Sequence, residues 1–164
     1  YLMMIGMKTS RLLEACALTG VMIADGSRED IDSMRSYAEN IGLAFQIQDD
    51  LLDITADEKE FGKTIGGEIR KGKKTYLLIK ALEEANSESD IQILNKAASH
   101  NSGITDEEVL LVKEIYDKLG VIQDASVQVA DYTRKANEHL EKLPESDAKE
   151  MLKWFSGMLL SRSF

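Results

Sequence analysis

Three aspartates at helical spacing are the residues of this chain best suited to chemistry. Asp49, Asp50 and Asp53, together with Gln46, fall at i, i+3, i+4 and i+7 and form one polar stripe if the segment is helical. The flanking positions are largely apolar, which predicts that the stripe faces the interior. Buried carboxylates this close together require a cation, and oxygen ligands favour Mg²⁺ over Zn²⁺. A solvated acidic face is the alternative that these residues alone leave open.

Lysines at two places could bind an anion near these aspartates. Lys8 and Thr9 interrupt an apolar run, and a helix packed beside the aspartates would let Lys8 meet a phosphate and Thr9 donate a hydrogen bond. Lys63, Lys73 and Lys74 lie among glycines, which let the backbone approach a ligand closely. Lys73 and Lys74 also open the next predicted helix, whose N-terminus favours negative charge. The alternatives are a lysine extended to solvent and a charged surface loop.

Helical patterns run the length of the chain, and no segment predicts a convincing strand. A first, largely buried helix is predicted from about Leu2 to Ala24, and a second from a capping box at Ser27 and Asp30 through Ile54. A loop is predicted over residues 55–73. The remaining helices are predicted over about 74–85, 87–99, 105–119, 121–142 and 147–160, with Ser87, Thr105 and Ser146 as caps. The pattern predicts an all-α helical bundle with the first two helices central.

The composition fits one soluble domain rich in helix. The chain has 164 residues, 43% of them hydrophobic, and a single proline. A net charge of -9 argues against broad nucleic-acid binding. Lys8, Arg11 and Glu14 interrupt the apolar N-terminal run too early for a membrane span. The lone Cys16 cannot form an intrachain disulfide and favours a reducing, intracellular setting, while the start inside a helical pattern indicates a piece of a longer protein.

The motifs, taken in order, carry a resemblance to a known family. They are KT at residues 8–9, FQxxDDxLD at 45–53, then GK at 62–63, GGE at 66–68 and GKKT at 72–75. In this order they resemble the C-terminal half of the trans-type isoprenyl diphosphate synthases, such as the geranyl, farnesyl and geranylgeranyl diphosphate synthases. The resemblance implies that residues 1–164 are the C-terminal portion of a single isoprenoid-synthase helical domain.

The resemblance also implies an activity and a set of site residues. The activity is the condensation of an allylic diphosphate with isopentenyl diphosphate, with Mg²⁺ as cofactor, in a cytoplasmic homodimer. The second aspartate-rich motif of the family, which binds the Mg²⁺ bridged to the allylic diphosphate, is matched by Asp49, Asp50 and Asp53. The lysines that contact this diphosphate are matched by Lys8, Lys63 and Lys73. Residues near the reacting carbons are matched by Thr9 and Gln46, with Phe45 as the aromatic residue beside them. The residues expected to act in catalysis are Lys8, Thr9, Gln46 and Lys63.

One departure from the family limits what this chain is expected to do. The family carries two aspartate-rich motifs on opposite walls of a cavity, and this sequence contains only the second. We therefore expect the chain alone to be an incomplete catalyst. Two alternatives are a noncatalytic subunit of a prenyl diphosphate synthase and a terpene cyclase or squalene-type synthase of the same fold. The intact charged motifs argue against the first, and GK, GGE and GKKT after DDLLD argue against the second.

Overall fold

The computed structural model describes residues 1–55, 66–100 and 103–160, with side chains as far as residue 158. Within these ranges every regular element is helical, which confirms the predicted all-α class. The elements are α1 (Leu2–Ile5), a π-helical segment (Gly6–Ser10), α2 (Arg11–Ile23), α3 (Arg28–Thr55), α4 (Gly67–Arg70), α5 (Tyr76–Glu84), α6 (Glu88–Ala97), α7 (Asp106–Lys118), α8 (Val121–Leu140) and α9 (Asp147–Leu160). None of the described helices is both long and apolar enough to cross a membrane.

Three of the predicted caps are confirmed. Before α3, the Ser27 backbone N–H donates to the Asp30 carboxylate at 2.9 Å, and the Asp30 N–H donates to the Ser27 hydroxyl at 3.1 Å. Thr105 and Glu108 form the same reciprocal pair before α7. The Ser146 hydroxyl accepts a hydrogen bond from the backbone N–H three residues later, near the start of α9. Each cap satisfies backbone N–H groups that have no partner inside the helix.

One predicted cap and one predicted loop differ from the structure in detail. Ser87 is the N-cap residue of α6, as predicted, but its hydroxyl makes no capping hydrogen bond and lies 2.7 Å from the Ser89 hydroxyl instead. The predicted loop over residues 55–73 contains the short helix α4, which follows Gly66 at a φ of 73°. Only glycine adopts this left-handed conformation readily, so Gly66 permits the turn into α4.

The chain divides into two compact units. The first unit consists of Tyr1 and the described part of Asp49–Ser126. The second consists of Leu2–Gln48 and the described part of Val127–Arg162.

The core of the first unit lies among three consecutive helices, α5, α6 and α7, which contact one another. Their fully buried side chains include Leu77, Leu78, Leu94 and Val112. The C-terminal end of α3 contributes the buried side chains of Leu51, Leu52 and Ile54. These apolar residues flank the aspartates in sequence and anchor the helix end that carries them.

The core of the second unit joins α3 to the last two helices. Met34, Tyr37 and Ile41 pack against Ala136 and Leu140 of α8. The Tyr37 hydroxyl also donates to a backbone carbonyl of α9 at 3.1 Å, so the phenol of a largely buried ring keeps a polar partner.

The N-terminal helical run is less buried than its composition predicts. Its buried side chains form a narrow stripe of Ile5, Ser10 and Glu14. Large apolar side chains on its other sides are exposed, namely Leu2, Met3, Met4, Met7, Leu12, Met22 and Ile23. The prediction of a largely buried first helix is therefore wrong for this chain, since only one stripe of the run is covered.

A close approach fixes the π-helical segment against α3. A Cβ atom added at Gly42 would lie 2.7 Å from the Cα atom of Ser10. Ser10 is 2% exposed and ends the π-helical segment. The absence of a side chain at Gly42 is therefore what allows this segment to pack on α3.

We expect Gly42→Ala to lower the free energy of unfolding by about 1–3 kcal/mol, because a backbone atom cannot yield as a flexible side chain can. Gly20→Ala is the matched control, since Gly20 lies within α2 with nothing within 4 Å of its added Cβ. The control should be neutral or stabilising by up to about 1 kcal/mol. Urea unfolding of both variants checks this, and equal stability of Gly42→Ala and the parent chain would contradict the close packing.

Candidate metal and diphosphate site

Asp50 lies half-buried near the end of α3, and two donors hold the same one of its oxygens. The Tyr1 hydroxyl donates to Asp50 Oδ2, and so does the backbone N–H of Tyr76, at 2.8 Å. Tyr76 is the first residue of α5, so Asp50 places a negative charge at the N-terminus of that helix. Among the described residues, Oδ1 of Asp50 accepts no hydrogen bond.

The two tyrosines that hold Asp50 also contact each other. Their ring centroids lie 5.9 Å apart with an interplanar angle of 67°, an edge-to-face arrangement. The Tyr76 hydroxyl donates to Asp124 Oδ2 at 2.6 Å. Asp50, Tyr1 and Tyr76 therefore form a connected cluster that is anchored on α8 through Asp124.

Asp53 fixes the return of the chain into α4. Its Oδ2 atom accepts from the Glu68 backbone N–H at 3.0 Å, and its carbonyl accepts from the Gly66 N–H at 2.9 Å. A Cβ atom at Gly67 would lie 3.3 Å from Asp53 Oδ1. The GGE motif thus brings one backbone donor to the Asp53 carboxylate and another to the Asp53 carbonyl, in a space that a larger residue at Gly67 would crowd.

The lysines after α4 do not hold the positions that the sequence predicted. Lys73 and Lys74 were expected to open a helix, but α5 begins at Tyr76 because Thr75 is its N-cap and accepts from Leu78 at 3.3 Å. The negative charge at that N-terminus comes from the chain itself, through Asp50. The Lys73 ammonium lies 2.5 Å from Glu68 Oε2, so contact with a diphosphate would require it to exchange this partner.

Burial sets the charge behaviour of this cluster. Desolvation raises the pKa of both Asp50 and Asp53 above the ordinary value of an aspartate, although the hydrogen bonds from Tyr1, Tyr76 and Glu68 act in the opposite direction. Burial and the adjacent Asp50 raise the pKa of the Tyr1 phenol well above its usual range. The Tyr1 hydroxyl therefore stays a hydrogen-bond donor at all physiological pH values.

The donor set fits Mg²⁺ as a partial ligand shell. Asp49 is exposed, which corrects the expectation that the whole stripe is buried, while Asp50 and Asp53 are half-buried. No three His, Cys, Asp or Glu side chains converge on a ready metal position in the part of the chain that the structure describes. Mg²⁺ keeps several waters and takes one or two carboxylates together with substrate phosphates. Asp49 and the available oxygen of Asp50 suit that requirement.

Four other predicted site residues belong to the second unit. Lys8 is exposed and Thr9 half-buried, and both lie in the π-helical segment. Such segments interrupt α-helices often at functional sites, and the apolar periodicity of the sequence did not predict this one. Phe45 and Gln46 are half-buried on α3. Lys63 lies outside the described residues.

The sequence did not point to Tyr1 as part of the site, and it gave Glu68 only as a member of the GGE motif. Tyr1 and Asp50 are 49 positions apart, and no local spacing relates them. The sequence contained only a weak signal for the contact of Asp50 with α5. A threonine before an apolar helical run marks an N-cap, and the N-terminus of a helix favours an acidic side chain nearby.

Solved structures with a similar fold include prenyl diphosphate synthases. The geranylgeranyl pyrophosphate synthetase of Pyrococcus horikoshii matches with a TM-score of 0.88 and 36% sequence identity, over 98% of this chain and 48% of that one. A geranylgeranyl pyrophosphate synthase of Corynebacterium glutamicum, solved with isoprenyl diphosphate and magnesium, matches with a TM-score of 0.76 and 29% identity, over 87% and 40% of the two chains. Fold and site therefore define an all-α protein of the isoprenoid synthase class.

Sequence comparison narrows this class to a family. The polyprenyl synthetase family matches residues 1–119. The short chain isoprenyl diphosphate synthase of Methanothermobacter thermautotrophicus is 36% identical over 162 residues, which cover 99% of this chain and 49% of that protein. The chain belongs to the polyprenyl synthetase family, as its motifs predicted. It spans about half the length of the curated relatives it matches.

Proposed function

We propose that this chain carries the magnesium and diphosphate wall of a prenyltransferase site of isoprenoid biosynthesis. The reaction is the condensation of an allylic diphosphate with isopentenyl diphosphate. The observation that carries the proposal is the state of Asp50, which is half-buried, holds two donors on one oxygen and, within the described part of the chain, accepts no hydrogen bond on the other. A carboxylate fixed in this way has lost its orientational freedom before a ligand arrives, which favours binding.

The charged residues of the chain would hold the diphosphate. Asp49, Asp50 and Asp53 would supply the carboxylates for Mg²⁺. The bound metal would neutralise the negative charge that develops as the diphosphate departs. The diphosphate oxygens would pair with the ammonium groups of Lys8, Lys63 and Lys73. Charges that are fixed before the reaction stabilise a leaving anion without the cost of reorganising water.

The polar and aromatic residues beside them would act on the hydrocarbon. Loss of diphosphate leaves an allylic cation, and the double bond of isopentenyl diphosphate attacks it to form the new carbon–carbon bond. A proton is then lost to the departed diphosphate, which restores a double bond. Thr9 and Gln46 would direct dipoles toward the cation, and the ring of Phe45 would present its negative face.

The chain would act as part of a larger assembly. It has one aspartate-rich motif, and its relatives are about twice as long, so we propose that it is an incomplete catalyst by itself. We place the complete enzyme in the cytoplasm as a homodimer. The lone Cys16 suits a reducing compartment, and the exposed apolar residues of the N-terminal run are of the kind that subunits bury.

Calorimetric titration with inorganic diphosphate tests the proposal directly. We expect binding in Mg²⁺ buffer and at least about a tenfold weaker affinity, or about 1.4 kcal/mol, when EDTA removes the metal. The reason is that diphosphate and the aspartates are both negative and attract each other only through a cation. Sulfate titrated in the same buffers is the control anion. Diphosphate affinity that is equal with and without Mg²⁺ would reject the proposed site.

A further inference from the structure

Tyr1 differs from the other partners of the aspartates because it is a side chain that reaches Asp50 from a distant part of the sequence. Its hydroxyl and the Tyr76 N–H share Oδ2 of Asp50. The backbone donor fixes one point of the carboxylate, and a single hydrogen bond leaves the carboxylate able to rotate about it. A second donor on the same oxygen restricts that rotation and so limits the directions that Oδ1 can take.

The surroundings keep the Tyr1 ring in place. Its edge-to-face contact with Tyr76 limits the motion of the ring, and Tyr76 is itself held by its hydrogen bond to Asp124. A phenol on a mobile ring would lose more conformational entropy on bonding to a carboxylate than one that is already packed. The packed rings therefore preorganise the Tyr1 hydroxyl for its hydrogen bond to Asp50.

We propose that Tyr1 is a positioning residue for the metal site, whose hydroxyl holds Oδ2 of Asp50 so that Oδ1 is presented to the cation. This inference rests on the proposed function, because it assumes that Asp50 is a metal ligand. Groups that orient a ligand typically affect metal affinity by about 10–100-fold, although they never touch the metal.

The test is a double-mutant cycle of Tyr1 and Asp50 in which the affinity for a metal ion is measured. Mn²⁺ replaces Mg²⁺, and electron paramagnetic resonance measures free Mn²⁺ in the presence of inorganic diphosphate. Tyr1→Phe removes only the hydroxyl, and we expect Mn²⁺ affinity to fall about tenfold. Tyr132→Phe removes a phenol of the second unit and should leave the affinity unchanged. In an Asp50→Asn background, Tyr1→Phe should change the residual affinity by less than about twofold, since the two residues act as one unit.

A second measurement, made without metal, tests the contact between Tyr1 and Asp50 itself. The carbon-13 resonance of the Asp50 carboxyl, assigned by its loss in Asp50→Asn, should move in Tyr1→Phe and stay in Tyr132→Phe. An unmoved resonance, unchanged or tighter Mn²⁺ binding by Tyr1→Phe, or an equal tenfold loss in both backgrounds would overturn the role of Tyr1. Failure of the parent chain to bind Mn²⁺ and diphosphate would instead reject the proposed function, and the role of Tyr1 with it.

Discussion

Replacing Asp49 and Asp50 together by alanine should abolish Mg²⁺-dependent diphosphate binding. We expect a loss of at least about 100-fold, or about 2.7 kcal/mol. The reason is that Asp49 is exposed and one oxygen of Asp50 accepts no hydrogen bond from the described residues, so both can bind a cation. Isothermal titration calorimetry with inorganic diphosphate in Mg²⁺ buffer measures the effect.

The matched control for this double variant is Glu107→Ala with Asp117→Ala. This control also removes two negative charges, but from exposed positions of α7 in the same unit of the chain. It should retain parent affinity, which separates loss of the site from the change in net charge. Circular dichroism monitors folding, and Asp49→Asn with Asp50→Asn provides a second variant that keeps side-chain volume. Parent affinity in a folded double aspartate variant would remove these residues from the site.

Local signals predicted most of the fold because the helices are encoded locally. Ser27 with Asp30 and Thr105 with Glu108 start helices where the capping boxes stand, since a cap needs only residues within one turn. Ser87 has the same spacing to an acidic residue, yet its hydroxyl bonds to Ser89. Two local partners compete for one hydroxyl there, and the sequence pattern does not rank them.

The sequence identified which residue types form the site, but it predicted few of the contacts between them. The spacing of Asp49, Asp50 and Asp53 marked them as one chemical group, because helical periodicity is a local property. That Asp50 accepts hydrogen bonds from the first residue of α5 and from Tyr1 depends on packing between segments far apart in sequence. The π-helical segment was also missed, since a register change of one residue leaves the apolar pattern of the N-terminal run nearly intact.

The pKa of Asp50 leads to a prediction about stability in the absence of metal. Desolvation raises the pKa of this carboxyl in the folded chain above its unfolded value of about 3.9. The folded state therefore binds more protons than the unfolded state between those two pKa values. The stability that protonated Asp50 contributes is fully present below the unfolded pKa and is lost as the pH rises through the folded pKa. At neutral pH the ionised Asp50 thus destabilises the fold.

Asp50→Asn should therefore have a higher Tm than the parent chain at pH 7 in EDTA, and this excess should shrink as the pH falls toward 3.9. The comparison cancels the titration of Asp53, since both chains contain it. A difference of about 1 kcal/mol corresponds to about 2–4 °C in a chain of this size, so differential scanning calorimetry resolves the trend. Asp117→Asn, at an exposed position of α7, is the control and should follow the parent chain. An excess that grows on acidification would show that the hydrogen bonds from Tyr1 and Tyr76 outweigh desolvation. The expected result would instead show that Asp50 is kept charged at a cost to stability, which a bound cation would offset.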